Sequence, residues 1–160
     1  MNDPITSKRT LVEYLESGCK PRDAWRIGTE HEKFGYCRDT LNPLPYDGPR
    51  SIKAVLEGLQ QKFAWEPVFE GGNIIGLTKD GANVSLEPGG QLELSGAPLE
   101  TIHQTCDEVN EHLREVREVA DRIGVEFIGL GAAPIWRQED MPLMPKGRYK
   151  LMDGYMRTVG

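Results

Sequence analysis

The sequence predicts an α+β domain, an antiparallel sheet flanked by helices. Three observations carry that prediction. Short runs of apolar and β-branched residues between 64 and 95 are separated by tight-turn signals rather than by helical crossovers. Two segments, 52–63 and 99–123, place apolar residues at helical spacing on either side of those runs. The chain of 160 residues, 38% hydrophobic and 28% charged, suits one globular domain or part of a larger one.

The elements follow in order. Residues 5–17 predict a short amphipathic helix with Leu11, Val12 and Leu15 on one stripe and Gly18 as its C-cap. Residues 25–37, WRIGTEHEKFGYC, lack helical periodicity and predict a strand. Residues 38–50, with three prolines, predict a loop. Ser51 caps a helix over 52–63, in which Ile52, Val55, Leu56, Leu59 and Phe63 share a face. Residues 64–70 read as a strand. NIIGLT at 73–78, the Asp80-Gly81 turn, residues 83–87, the PGG turn at 88–90 and QLELS at 91–95 then predict a three-strand antiparallel meander.

The segment 99–123 steps through Ile102, Cys106, Val109, Leu113, Val116, Ala120 and Ile123, a single stripe expected to be buried on a long helix. Its other face is mostly acidic, with Glu118 and Arg122 as an i,i+4 pair. Gly124 ends the helix, and VEFIGLG at 125–131 predicts a buried strand. The tail, 134–160, has no long periodic stretch and is left without an element.

Composition narrows the function. A net charge of −6 argues against general nucleic-acid binding, which needs a basic face. No run approaches the ~18 apolar residues of a membrane-spanning helix. The first residues, MNDPITSKRT, show no apolar core of a secretory signal, and three cysteines without a CxxC pattern suit reduced thiols. The expectation from these two features is a cytoplasmic protein.

The carboxylates carry the chemistry. Glu30 and Glu32 are two apart on a predicted strand, so both project from one face, roughly 7 Å apart, while Trp25 and Ile27 are expected to turn towards a core. On a solvated sheet face water alone can separate such a pair; a base or cation can do so too. In SLEPGGQLELSGAP, Gln91, Glu93 and Ser95 share a second strand face, and Glu87 ends the preceding strand across a glycine-rich turn. Oxygen-rich clusters of this kind suit Mg²⁺ or Mn²⁺, which take one or two carboxylates and complete their shell with water and phosphate oxygens. His31 faces the other way and reads as structural. In the tail, MPKGRYK sets Lys146, Arg148 and Lys150 around Gly147 and Tyr149, either a solvated basic turn or a grip for phosphate or carboxylate.

RIGTEHEKFGY at 26–36, SLEPGGQLELSGAP at 85–98 and MPKGRYKLMDGYMRTVG at 144–160, in this order and spacing, resemble the glutamate–cysteine ligase family of the plant and proteobacterial type. The resemblance covers nearly the whole chain. It implies an ATP-dependent ligase that joins the γ-carboxylate of glutamate to the amine of cysteine through an acyl phosphate, the first step of glutathione synthesis. It implies the glutamine-synthetase-like carboxylate–amine ligase fold, with the site on the concave face of the sheet. It implies Mg²⁺ held by Glu30, Glu32 and Glu93, with Glu87 beside them. Of these, Glu30, Glu32 and Glu93 are the catalytic candidates, while Gln91, Arg148 and Tyr149 line the substrate site.

Family members run on past residue 160 into further strands, so residues 1–160 are expected to be an N-terminal part of one catalytic domain. Such a part is expected to be inactive alone and open to self-association through an unpaired sheet edge. The rival readings are another carboxylate–amine ligase of the same fold, a Mg²⁺-dependent phosphoester hydrolase and a non-catalytic fragment. The hydrolase would call for a second Asp- or His-rich metal set, which the sequence lacks. No Walker loop is present either.

Overall fold

The computed structural model describes residues 4–133 and 135–159; Met1–Asp3, which head the segment searched for a signal, and Pro134 and Gly160 of the tail lie outside them. In chain order the elements are α1 (Lys8–Glu16), β1 (Glu30–Cys37), α2 (Ile52–Phe63), β2 (Glu66–Glu70), β3 (Asn73–Lys79), β4 (Ala82–Leu86), β5 (Leu92–Ser95), α3 (Ile102–Ile123), β6 (Val125–Ile128) and α4 (Gly147–Val159). The strands form one sheet in the order β2-β3-β4-β5-β1-β6, and every pairing is antiparallel. The predicted meander is therefore the centre of a larger sheet: β2 adds to one side, and β1 returns to lie between β5 and β6.

Local chemistry fixes the register. Asp80 and Gly81 both take positive φ, 49° and 86°, as a two-residue hairpin turn between right-twisted strands requires. Ser51 caps α2 by accepting the Ala54 N–H, and Thr101 caps α3 in a reciprocal capping box with Gln104. Gly124, at φ 70°, closes α3 in the left-handed region.

Helices α2 and α3 pack on each other, α2 against β2 and β3 and α3 against β6. Ile52, Val55, Leu56 and Leu59 of α2 are fully buried with Leu77, Val84, Leu86, Leu92 and Leu94 of the sheet. Each such side chain contributes about 1.5–3 kcal/mol by leaving water. This is the core, and it occupies one face of the sheet. Alternation along β4 and β5 sends Ser85, Gln91, Glu93 and Ser95 to the opposite face.

Several expectations are corrected. Leu11, Val12 and Leu15 of α1 are exposed, and α1 ends at Ser17 rather than at a Gly18 cap. Trp25 and Ile27 are exposed too, because the strand proper begins at Glu30; Ile27 makes only an isolated bridge to Leu99. The expected stripe of α3 holds in part: Val116 and Ala120 are buried and Val109, Leu113 and Ile123 half-buried, but its first turn is exposed and the buried face extends further round the helix. Ile102 and Cys106 face outwards, and Thr105, His112, Glu115, Val116, Val119 and Ala120 face in. Glu115 turns inward because partners wait there: Trp65 Nε1 donates to it at 2.7 Å and Lys79 Nζ at 3.2 Å. β6 is a half-buried edge strand rather than a buried one, and the tail holds a helix, α4, that its weak periodicity concealed.

Candidate active site on the open sheet face

The register of β1 and β5 brings the two carboxylate motifs together. Glu32 and Glu93 are direct cross-strand partners, and Glu30 is the partner of Ser95 one step along. Opposite residues on adjacent strands share a face at roughly 4.5–5.5 Å between Cβ atoms. Like charges so placed repel each other, and nothing in the packing of the sheet requires them. Ser85, the partner of Glu93 on β4, donates its hydroxyl to Glu93 Oε2 at 2.9 Å. Sequence reasoning passed over Ser85; its signal was its place, two residues before Glu87 and on the same face.

Glu87 follows β4 and is held across the PGG turn, where its N–H donates to the Gln91 carbonyl at 3.0 Å. Its carboxyl is raised above the ordinary value, first by burial and then by repulsion from Glu93 and Glu32, while Lys146 and Arg148 oppose the shift. One electrostatic neighbourhood thus contains Glu32, Glu87, Glu93, Lys146 and Arg148. Glu30 sits at its outer, exposed end. The Gln91 side chain lies near Gly89, and its Oε1 is buried without a hydrogen-bond donor.

The tail docks on this neighbourhood through backbone contacts. The Met144 N–H donates to the Pro88 carbonyl at 3.0 Å, and the Gly147 N–H to Glu70 Oε1 at 2.7 Å. Lys146 Nζ donates to the Leu86 carbonyl at 2.9 Å, and the Tyr149 hydroxyl donates to the same oxygen. Arg148 in turn donates to the Tyr149 hydroxyl at 3.0 Å. Tyr149 is 3% exposed, so it acts here as a brace that holds Arg148 rather than as an open binding group. Lys146 is buried, its pKa lowered by desolvation and by Arg148. Lys150, on the first turns of α4, is exposed and stands outside the cluster. Glu70 and the Leu86 carbonyl, which anchor the tail, carried no signal in the sequence.

The donor set fits a hard divalent cation shared with a substrate. Among the described residues no three His, Cys, Asp or Glu side chains converge to hold an ion by themselves. Mg²⁺ ordinarily takes one or two protein carboxylates and leaves the rest of its octahedron to water and phosphate. The Glu32–Glu93 pair, with Glu87 nearby and no thiol or imidazole on that face, has this character.

An antiparallel sheet with helices on one face, and carboxylates beside cations on the other, defines an α+β domain with a charged open face. Residues 26–160 match the model of glutamate-cysteine ligase family 2, and the chain belongs to that family. It is 54% identical over 160 residues to glutamate–cysteine ligase A, chloroplastic, of Oryza sativa subsp. japonica, covering all of this chain and 32% of that protein. It is 55% identical over 158 residues to the chloroplastic glutamate–cysteine ligase of Arabidopsis thaliana, covering 99% of this chain and 30% of the relative. The chain thus spans about a third of the length of these relatives.

The names correct one expectation. The relatives are chloroplastic proteins, which points to a plastid and contradicts the cytoplasmic reading. That reading leaned on a missing apolar signal core, and plastid transit segments have none.

Proposed function

We propose that the chain contributes the acidic sheet face of a ligase that joins the γ-carboxylate of glutamate to the amine of cysteine at the expense of ATP. The observation that carries this reading is the direct pairing of Glu32 with Glu93 beside Glu87 and Arg148. Membership of the family supports it.

A carboxylate does not react with an amine because its oxygen is a poor leaving group. The γ-carboxylate oxygen attacks the terminal phosphorus of ATP, and ADP departs. The cysteine amine then attacks the acyl carbon, inorganic phosphate leaves, and the amine proton is lost to solvent or a base. In this reading Glu32 and Glu93, with Glu30 and Glu87, hold Mg²⁺ or Mn²⁺. The metal, when bound, neutralises the triphosphate and stabilises charge developing during phosphoryl transfer. Ser85 fixes the rotamer of Glu93. Arg148, held by the Tyr149 hydroxyl, pairs with a substrate carboxylate or phosphate, and Gln91 Oε1 is an acceptor left for a substrate N–H.

Residues 1–160 are an N-terminal part of a single catalytic domain in this reading, and the chain alone does not enclose the reactants. The strands at the sheet's ends, β2 and β6, are where self-association would begin. The test is ADP release in a coupled assay, on the full-length protein carrying this segment. Release should require both amino acids and Mg²⁺, and Glu32→Gln should abolish most of it while leaving the melting temperature within a few degrees. Wild-type turnover in Glu32→Gln would refute the assignment.

A further inference from the structure

On the helix side of the sheet, away from the carboxylate face, a cleft of about 350 Å³ opens between α3 and the β3–β4 hairpin. Its walls are apolar, from Trp65, Leu94, Ala97 and Leu99, and its acidic residues are Asp80, Asp107, Glu108 and Glu111 with Glu115 behind them. Glu115 is already satisfied by Trp65 and Lys79, and this contact also occupies the one lysine of the cleft. Glu111 lies 3.7 Å from Arg114. Asp80, Asp107 and Glu108 have no ion-pair partner among the described residues, so acidic groups outnumber the nearby cations, Lys79 in the cleft and the buried Lys33 behind His112.

Three buried atoms in this cleft, on two side chains, lack partners. Glu108 uses Oε1 to accept the Ala97 N–H at 2.8 Å, and its Oε2 is buried with nothing bonded to it. His112, four residues on and therefore on the same face of α3, is 2% exposed, and both its ring nitrogens are unpartnered. Desolvation, aided by Lys33 and His31, pushes its pKa down to about 3, so the ring is neutral and offers one acceptor and one donor. Buried polar atoms are rarely left unsatisfied, because each orphan costs roughly 1–3 kcal/mol.

The ligand chemistry follows from these groups. Anions are repelled by the three unpaired carboxylates. A hydrated metal ion is poorly suited to the apolar walls of Trp65, Leu94 and Leu99. An ammonium group supplies three N–H donors to the orphaned acceptors, and an apolar stem suits the walls. We propose that this cleft is a binding site for a small organic ammonium, its N–H groups on Glu108 Oε2 and the His112 ring acceptor and its stem against Trp65, Leu94 and Leu99. The site is separate from the carboxylate face and stands independently of the ligase reading.

The test uses the full-length protein, phenethylammonium chloride as the probe and 2-phenylethanol as its neutral comparator. Calorimetry measures affinity, and the His112 ring resonances report where the probe sits. The expected result is saturable one-to-one binding of the amine, a shift of the His112 signals, and at least tenfold weaker binding of the alcohol. Glu108→Gln, nearly isosteric, should weaken the amine by tenfold or more. Gly96→Ala should do likewise, because its new Cβ would overlap Glu108 Oε2. Equal affinity for amine and alcohol, an unmoved His112, or undiminished binding in Glu108→Gln would overturn the proposal. The amine–alcohol comparison needs no variant, so it decides the matter even where a substitution unfolds the chain.

Discussion

Strand β1 presents opposite chemistry on its two faces. Glu30 and Glu32 project to the open side, while His31 and Lys33, interleaved with them, project towards α3. On the open side two acids stand beside Glu93, with solvent and cations at hand. On the buried side Lys33, 1% exposed, finds only the His31 carbonyl at 3.0 Å and the His31 ring at 3.2 Å. Burial there lowers the pKa of Lys33 to about 8 and that of His112 to about 3. The same alternation that gathers charge where a cation can serve it removes charge where nothing can. A carboxylate pair on one face and a desolvated base seam on the other are thus two outcomes of one period-2 pattern.

That contrast can be broken from either side. The largest effect is expected on the open face. In the full-length protein Glu93→Gln should lower turnover by more than the roughly 10–100-fold typical of removing an outer-shell partner, since in the proposed reading Glu93 is a direct ligand. Stability should hold or rise slightly as the repulsion with Glu32 and Glu87 is relieved; steady-state kinetics and a thermal melt read both. On the helix face the order reverses. Leu92→Ala, at a fully buried position, should cost about 2–5 kcal/mol in a denaturant melt, and loss of activity should only follow loss of fold.

Lys33→Met sharpens the comparison through pH. A base whose folded pKa lies below its unfolded value is a burden while both states would be protonated. The unfolded chain then binds more protons than the native one between about pH 8 and the ordinary lysine range, so wild-type stability gains with pH in that window. The variant should be the more stable protein below pH 8, and its advantage should shrink as pH rises above 8. A pH-independent difference between the two would mean that Lys33 is not desolvated as described.

Smaller effects test the supports. Ser85→Ala removes the 2.9 Å hydrogen bond to Glu93 and should reduce turnover by up to about tenfold, with the apparent metal requirement raised. Thr101→Ala removes the α3 cap and should cost about 1 kcal/mol in a melt without touching the Mg²⁺ dependence.

What was legible in the sequence was what local chemistry dictates. Ser51 and the Ile52–Phe63 pattern specify α2, and Asp80-Gly81 specifies its hairpin, because cap, period and turn residue agree. The Glu-x-Glu and Glu87/Glu93 motifs were visible as faces; their meeting was not, since the Glu32–Glu93 register depends on β1 returning beside β5, a contact about sixty residues away in sequence. The α3 stripe failed where Glu115 and His112 are buried, because apolar counting cannot see Trp65 and Lys79 waiting across the cleft. Helix α4 was missed because little of it is buried: only Tyr149 has its side chain in the core. Arg148 was found, but the brace that holds it, Tyr149 on the Leu86 carbonyl, follows from docking of the tail alone.

In the proposed reading the open face of the sheet is a divalent-cation mount built on the Glu32–Glu93 pair. Equilibrium binding of Mn²⁺ to the full-length protein, followed by electron paramagnetic resonance with and without a non-hydrolysable ATP analogue, tests it most directly. Glu32→Gln and Glu93→Gln should each lose or weaken by tenfold or more at least one Mn²⁺ site, with the nucleotide analogue tightening the site in the wild type. Mn²⁺ stoichiometry and affinity unchanged in both folded variants would contradict it.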